Sequence, residues 1–275
     1  RLFCILLTVV LAHLTSKFIE QPIRHKKIPG KKVYLFFAGT TVTSLIAGLL
    51  ISATASSMIS VKGTDYKFNL TKVMEKPAVY GDGCHVNYGE TKSGYCTYGV
   101  KTSKKTIVLY GDSHAAQWFP ALEKLALEKG YKLVSLTKSA CPSVDVPRED
   151  QGAFKNVHCE KWRENSIARI KSIHPAAVII SSFQYFTPPN GYPNRADWWN
   201  AGQRRLLADL KGSSPHLIYI SDTPRPLRDI PNCLASRDTH SCDSSEKTPV
   251  KIISGFEKID PTLWMCSTFC PAIQN

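Results

Sequence analysis

A chain of 275 residues has room for one large domain and additions to it. Its formal net charge of +13 raises the question of nucleic acid, but the distribution argues against that class. Residues 1–32 carry seven Lys or Arg and one Glu, a net +6, and the remaining +7 is spread over 243 residues with no basic stripe interleaved with aromatics.

The first residue is not Met, the opening is already apolar, and Pro271–Asn275 has no natural finish. Both ends are therefore expected to be cut from a longer protein. Leu2–Ser16 is mostly apolar apart from His13. It is short for a bilayer span and reads as the last part of a transmembrane helix. A signal peptide is the competing reading, but the basic residues follow the apolar run, which is the wrong order. Lys17–Lys32 is a basic loop with Arg24, His25, Lys26, Lys27, Lys31 and Lys32, broken by Pro22, Pro29 and Gly30. Val33–Val61 then runs 29 residues without a charge, enough to cross a bilayer as a helix. The positive-inside rule puts the basic loop in the cytoplasm and everything after Val61 outside.

Nine cysteines support that placement. Cys4 lies in the first apolar run. The other eight fall into four local pairs: Cys84 with Cys96, Cys141 with Cys159, Cys233 with Cys242, and Cys266 with Cys270. A zinc site is the alternative, but no pair has C-x2-C spacing and no His stands at the usual offset. Disulfides are the favoured reading, no metal is expected, and an oxidising compartment follows. Lys62–Lys105 is polar and without periodicity, and it reads as a linking region pinned by one disulfide. Closing such a loop is worth about 3 kcal/mol in the chain-entropy model.

From Thr106 the pattern becomes α/β. Thr106–Tyr110 is a buried strand, and a helical stretch follows over about His114–Lys129, with Pro120 inside it and Gly130 ending it. Either the helix kinks at Pro120, or a first turn precedes a helix that Pro120 opens. Tyr131–Thr137, Ala176–Ser181 and His216–Ser221 read as further strands. Glu160–Ser172 and Trp198–Lys211 read as helices, with long polar loops between. Four β-α repeats imply a doubly wound parallel sheet. The expected division is 1–61 in or at the membrane (span about 33–61), 62–105 as linker, and 106–275 as the catalytic domain.

Gly111-Asp112-Ser113-His114 stands at the corner between the first strand and the first helix. Open α/β sheets place their ligands at that edge, and a helix start offers free N–H groups to a developing oxyanion. A serine there is placed to be a nucleophile. The plainer reading of Ser113 is a helix N-cap.

These residues resemble a known family. Gly111-Asp112-Ser113-His114 after an apolar strand resembles the first block of the SGNH (GDSL-like) esterases and acetyltransferases. Tyr110–Trp118, with Pro120-Ala121-Leu122, is similar to the SGNH domains fused to acyltransferase-3 membrane proteins. Phe18-Ile19-Glu20-Gln21-Pro22-Ile23-Arg24 resembles the loop near the end of the acyltransferase-3 membrane domain. The resemblance implies O-acetylation of a cell-envelope polysaccharide, of the bacterial O-antigen type, at the inner membrane. The membrane domain takes the acetyl group from cytoplasmic acetyl-CoA. Ser113 accepts it on the periplasmic side and passes it to a sugar hydroxyl. The SGNH domain itself binds no cofactor, and its partners are the membrane and the glycan acceptor.

The resemblance also implies a base from an Asp-x-x-His pair near the C-terminus. Trp264–Pro271 resembles the Cys-Pro segment that precedes it, so the His and Asp partners are expected beyond residue 275. His114 adjoins Ser113, but helical spacing turns it away and it is expected to support the turn. His85, His158, His174, His216 and His240 are expected to be structural or exposed, and Asp222 is explained by an Asp-Thr-Pro turn. The Ser113 backbone N–H is the first oxyanion donor. Relatives add a Gly after the second strand and an Asn after the third. Here those regions read Thr137-Lys138-Ser139-Ala140 and Ser181-Ser182-Phe183-Gln184, which leaves Ser139, Ser182 and Gln184 as candidates. Tyr185, Phe186, Tyr192, Trp198 and Trp199 either stack on sugars or pack their loop. Beside the acyltransferase stand two other readings, an SGNH esterase or deacetylase and a non-catalytic glycan-binding module.

Overall fold

The computed structural model describes residues 2–21, 30–54, 58–60, 67–69, 72, 75–226, 228–236, 240–243, 251–266 and 270. The chain divides into two compact units, Arg1–Ser57 and Met58–Asn275. In the first, α1 (Leu2–Thr15) runs into a π-helical turn at Ser16–Glu20, and α2 spans Gly30–Thr54. Among the described residues no helix is long and apolar enough to cross a membrane. The expected span at 33–61 is therefore not shown. Its helix stops at Thr54, and Met58–Ser60 is a short strand, β1, paired antiparallel with β2 (Lys67–Asn69). The basic residues at 22–29 and the segment 61–66 lie outside the described residues.

The second unit is built on a sheet. After α3 (Ala78–Gly81) come β3 (His85–Val86), β4 (Thr97–Gly99) and β5 (Thr106–Gly111). Then follow α4 (Ser113–Ala116), α5 (Phe119–Lys129), β6 (Lys132–Lys138), α6 (Asn156–Ile173) and β7 (Ala177–Ser181). α7 (Arg195–Asp209), β8 (Leu217–Ile220), α8 (Ile230–Ser236), β9 (Glu257–Ile259) and α9 (Thr262–Met265) complete it. The strand order is β3-β6-β5-β7-β8-β9, all parallel, and β4 lies antiparallel on β6. The chain moves from β5 to β6, then crosses back to β7 on the other side. That reversal opens a crevice at the carboxyl ends of β5 and β7, where doubly wound sheets bind ligands.

Period-2 alternation gives β5 two buried faces. Val108 and Tyr110 point into a core with Val134, Leu136, Val178, Ile180, Trp162 of α6 and Trp198 of α7. Ile107 and Leu109 point the other way, toward Leu133, Ile179, Phe119 and Ala126 of α5. The expected helix over 114–129 is two helices. Pro120 near the start of α5 lacks the N–H that would continue α4, and Gly130 at φ 73 closes α5.

The boundary expected at 105 cuts through this sheet. β3 and β4 come from the supposed linker and pair with β6. Lys138 Nζ donates to the carbonyls of Asn87, Tyr88 and Glu90 at 2.5, 2.8 and 2.7 Å. Trp162 Nε1 donates to Ser93 Oγ at 3.0 Å, and Asn165 Nδ2 to the Thr91 carbonyl at 2.8 Å. The segment lacks hydrophobic periodicity because much of its hold on the domain is through hydrogen bonds to its carbonyls and to Ser93.

All four cysteine pairs are disulfides as expected, with Cα–Cα distances of 5.6, 5.4, 5.8 and 4.2 Å in chain order. The second ties the loop after β6 to α6. An ionic clasp reinforces it: Asp145 accepts from Arg163 Nη2 at 3.1 Å and from Arg205 Nε at 2.7 Å. Arg163 is only 3% exposed. Without the carboxylate that guanidinium keeps, among the described residues, only Cys159 Sγ and the Val146 carbonyl, so Asp145→Ala should cost about 2 kcal/mol in denaturant unfolding. A loss under about 0.5 kcal/mol would assign the clasp to the surface class instead.

Candidate active site

β5 delivers its last residues to the crest of the sheet. Gly111 has φ 151, a conformation that side chains rarely adopt. A Cβ there would run into the Ser181 carbonyl of β7 and the Ala115 side chain. Only a glycine lets β5, β7 and α4 approach this closely, and Ser113 is lifted onto the corner. The N-cap of α4 is Asp112 rather than Ser113. Its carboxylate accepts from His114 N at 2.8 Å and from Phe183 N at 3.0 Å. The plainer reading of Ser113 thus falls to its neighbour. The Ser113 residue is partly exposed, and among the described residues nothing hydrogen-bonds its hydroxyl.

The structure joins two residues that the sequence kept apart. His114 Nδ1 meets Asp222 Oδ1 at 2.5 Å across 108 positions of chain. Asp222 sits just past β8, is fully buried, and also accepts from Gln184 N at 2.9 Å and Thr223 N at 2.9 Å. The expected Asp-Thr-Pro turn is not what holds the residue: 221–226 form no turn, and the Thr223 bond reaches only the next residue. The His114 ring lies against Phe183, with centroids 4.9 Å apart. Through its bond to Asp222, His114 bridges the crest from β5 past β7 to β8, a link beyond the turn-supporting role expected of it. A signal was available: Asp222 ends a strand on the Ser113 edge.

Burial opposes charge on His114, yet the bond and charge of Asp222 and the charge of Asp112 outweigh it and raise its pKa. The pKa of Asp112 is raised as well, which for a carboxylate favours the neutral form. Burial pushes it up to about 6 against the pull of His114 and its N–H donors.

A family model described as an SGNH domain fused to AT3 domains matches residues 83–275. The chain belongs to this SGNH family. The match begins at 83, within the segment that adds β3 and β4 to the sheet. Among solved structures, the periplasmic domain of a lipopolysaccharide acetyltransferase from Salmonella ser. Paratyphi A is similar at 20% identity. That alignment covers 70% of this chain and 75% of that one, with a TM-score of 0.49. Comparison with curated proteins gives no match.

The oxyanion candidates of the SGNH domain fare unevenly. Ser139 Oγ is bonded to His85 Nε2 at 3.1 Å. Ser182 Oγ is buried and meets Ser143 N at 2.8 Å and Ser143 Oγ at 2.7 Å. Gln184 is fully buried, and its amide has no partner among the described residues. Ser182 and Gln184 are thus sealed in the interior, while Ser139 is half-buried against His85. Ala140, however, has φ 52, the conformation a glycine after β6 would take. Trp198 and Trp199 are fully buried, so they pack the core and do not face sugars. Among the described residues there is no cluster of His, Cys, Asp or Glu that would hold a metal.

His85 is structural, as expected. It is 5% exposed, between Thr137 Oγ1 and Ser139 Oγ at 3.1 Å each. Burial, with the charges of Lys138 and Lys76, lowers its pKa to about 4. The unfolded ring titrates near 6.5. Between those values the unfolded chain binds the extra proton, so stability is lost as pH falls through that window. Thermal unfolding should show the midpoint dropping from pH 6.5 to 4, with a flatter slope in His85→Gln. An equal slope in the variant would clear His85 as its source.

Proposed function

We propose that the domain transfers an acetyl group, through Ser113, to a hydroxyl of a cell-envelope polysaccharide. The observation that carries this reading is the SGNH domain match together with a serine hydroxyl left unengaged at the crest switch point. Ser113 Oγ attacks the acetyl carbonyl of the donor. The Oγ–carbon bond forms, the carbonyl's bond to its carrier breaks, and the serine proton leaves with the carrier. A sugar hydroxyl then attacks the acetyl-serine. The sugar oxygen gains the acetyl group and its proton returns to Oγ. The base that moves these protons is the Asp-x-x-His pair implied by the resemblance, placed C-terminal of Cys270.

The donor acetyl comes from cytoplasmic acetyl-CoA by way of a membrane part to which residues 1–61 belong. Two features support an extracytoplasmic domain at a membrane. Four disulfides follow Val61. In α2, Leu35, Leu45 and Leu49 are exposed to 67%, 63% and 69%. The test is to acid-quench the acting protein and map the acetyl adduct by mass spectrometry. The adduct is expected on the peptide holding Ser113. Sustained glycan acetylation with no adduct there would refute the acyl-enzyme.

A further inference from the structure

We propose that the His114 imidazolium, held through Nδ1 by Asp222, is the side-chain donor to the oxyanion that forms at Ser113. This rests on the acyl-enzyme reading above. A tetrahedral oxyanion needs two or three donors converging beside the nucleophile. Most N–H groups at the crest are already used. Asp112 takes those of His114 and Phe183, Asp222 those of Gln184 and Thr223, and Val86 that of Ser139. The backbone N–H groups of Ser113 and Ala140 have no partner among the described residues. Of the polar side chains nearby, Ser139 is held against His85, Ser182 is buried on Ser143, and Gln184 is fully buried.

His114 differs from all of them. It directly follows the nucleophile, its side chain is 30% exposed, and no described residue bonds Nε2. Its orientation is fixed from behind by the fully buried Asp222 and from the side by Phe183. An ionised carboxylate only accepts, so Nδ1 carries a proton, and Nε2 donates as well only when the ring is charged. Two carboxylates face that ring, Asp222 from the end of β8 and Asp112 from its own turn. Asp112 in turn interacts with Arg148 of the loop after β6 and with Tyr80 of α3. The two carboxylates favour the imidazolium, and a cation beside a developing negative charge is worth more than a neutral donor.

The experiment is a pH profile of acetyl transfer in membranes that carry the natural gene product. Radiolabelled acetyl-CoA is supplied, and alkali-labile label in the envelope glycan is read from pH 5.5 to 9.5. The unaltered protein should lose activity on an alkaline limb as His114 deprotonates. His114→Gln keeps a neutral donor and should run about tenfold slower with that limb gone, and His114→Ala should fall by about 10²-fold or more. Asp222→Asn should move the limb to lower pH, and it carries the test if His114→Gln does not accumulate. An alkaline limb unmoved in both variants, or full activity in His114→Ala, overturns the proposal. So does loss of an acid limb in His114→Gln, which would make His114 the base. An inactive Ser113→Ala beside unmoved limbs refutes this inference alone and leaves the acyl-enzyme standing.

Discussion

Ser113→Ala abolishes acetylation of the envelope glycan, by about 10⁴-fold or more, and leaves the amount of protein unchanged. The two halves of this expectation have separate causes. A covalent route has no substitute for the oxygen that carries the acetyl group. Stability survives because the hydroxyl supports nothing. Among the described residues it makes no hydrogen bond, and the cap of α4 is Asp112. Surface changes of this kind stay within about 0.5 kcal/mol. The measurement is alkali-released acetate from purified glycan, beside an immunoblot of the membranes. Acetate at the unaltered level would end the nucleophile assignment.

Gly111→Ala acts through shape rather than chemistry, and its effect on the fold is the largest expected. The added methyl meets a backbone carbonyl of the next strand, which cannot swing aside as a side chain would. β5 is also the central strand, paired with β6 on one side and β7 on the other. Relief requires either parting β5 from β7 or rotating Gly111 out of φ 151. Both displace Ser113. The expected cost is about 3 kcal/mol or more, with transfer lost even in protein that remains folded. Denaturant unfolding and the acetate assay read the two effects separately. A variant of normal stability and activity would show that the crest is more pliant than its contacts imply.

The central strands were legible because burial on both faces writes itself as apolar runs: Thr106–Tyr110, Tyr131–Thr137, Ala176–Ser181 and His216–Ser221 each fall within two residues of an observed strand. β9 was missed because it is three residues long and two of them, Glu257 and Lys258, are exposed. β3 and β4 were missed as well. They are two and three residues long and held by backbone pairing with β6, and the polar stretch between them is tied by hydrogen bonds from Lys138 and α6, so neither leaves a periodic hydrophobic signature. At the site, the strand-turn-helix pattern located Ser113. The His114–Asp222 contact could not be read from spacing, because its 108-residue separation is set by the β5-β7-β8 order. The left-handed backbone at Ala140 was hidden because alanine rarely takes it.

The way β3 and β4 close the β6 side of the sheet also sets where this domain can be divided. A fragment starting at Thr106 would bare β6 along Lys132–Lys138, leaving its outer N–H and C=O groups unpaired beside the apolar residues Leu133, Val134 and Leu136. Such an edge recruits strands from other molecules. The same cut would leave the Lys138 ammonium without the three carbonyls that hold it. The smallest soluble piece should therefore begin ahead of Val79, whose side chain is fully buried. Aggregation on expression, rather than loss of catalysis, is what a shorter piece would show first.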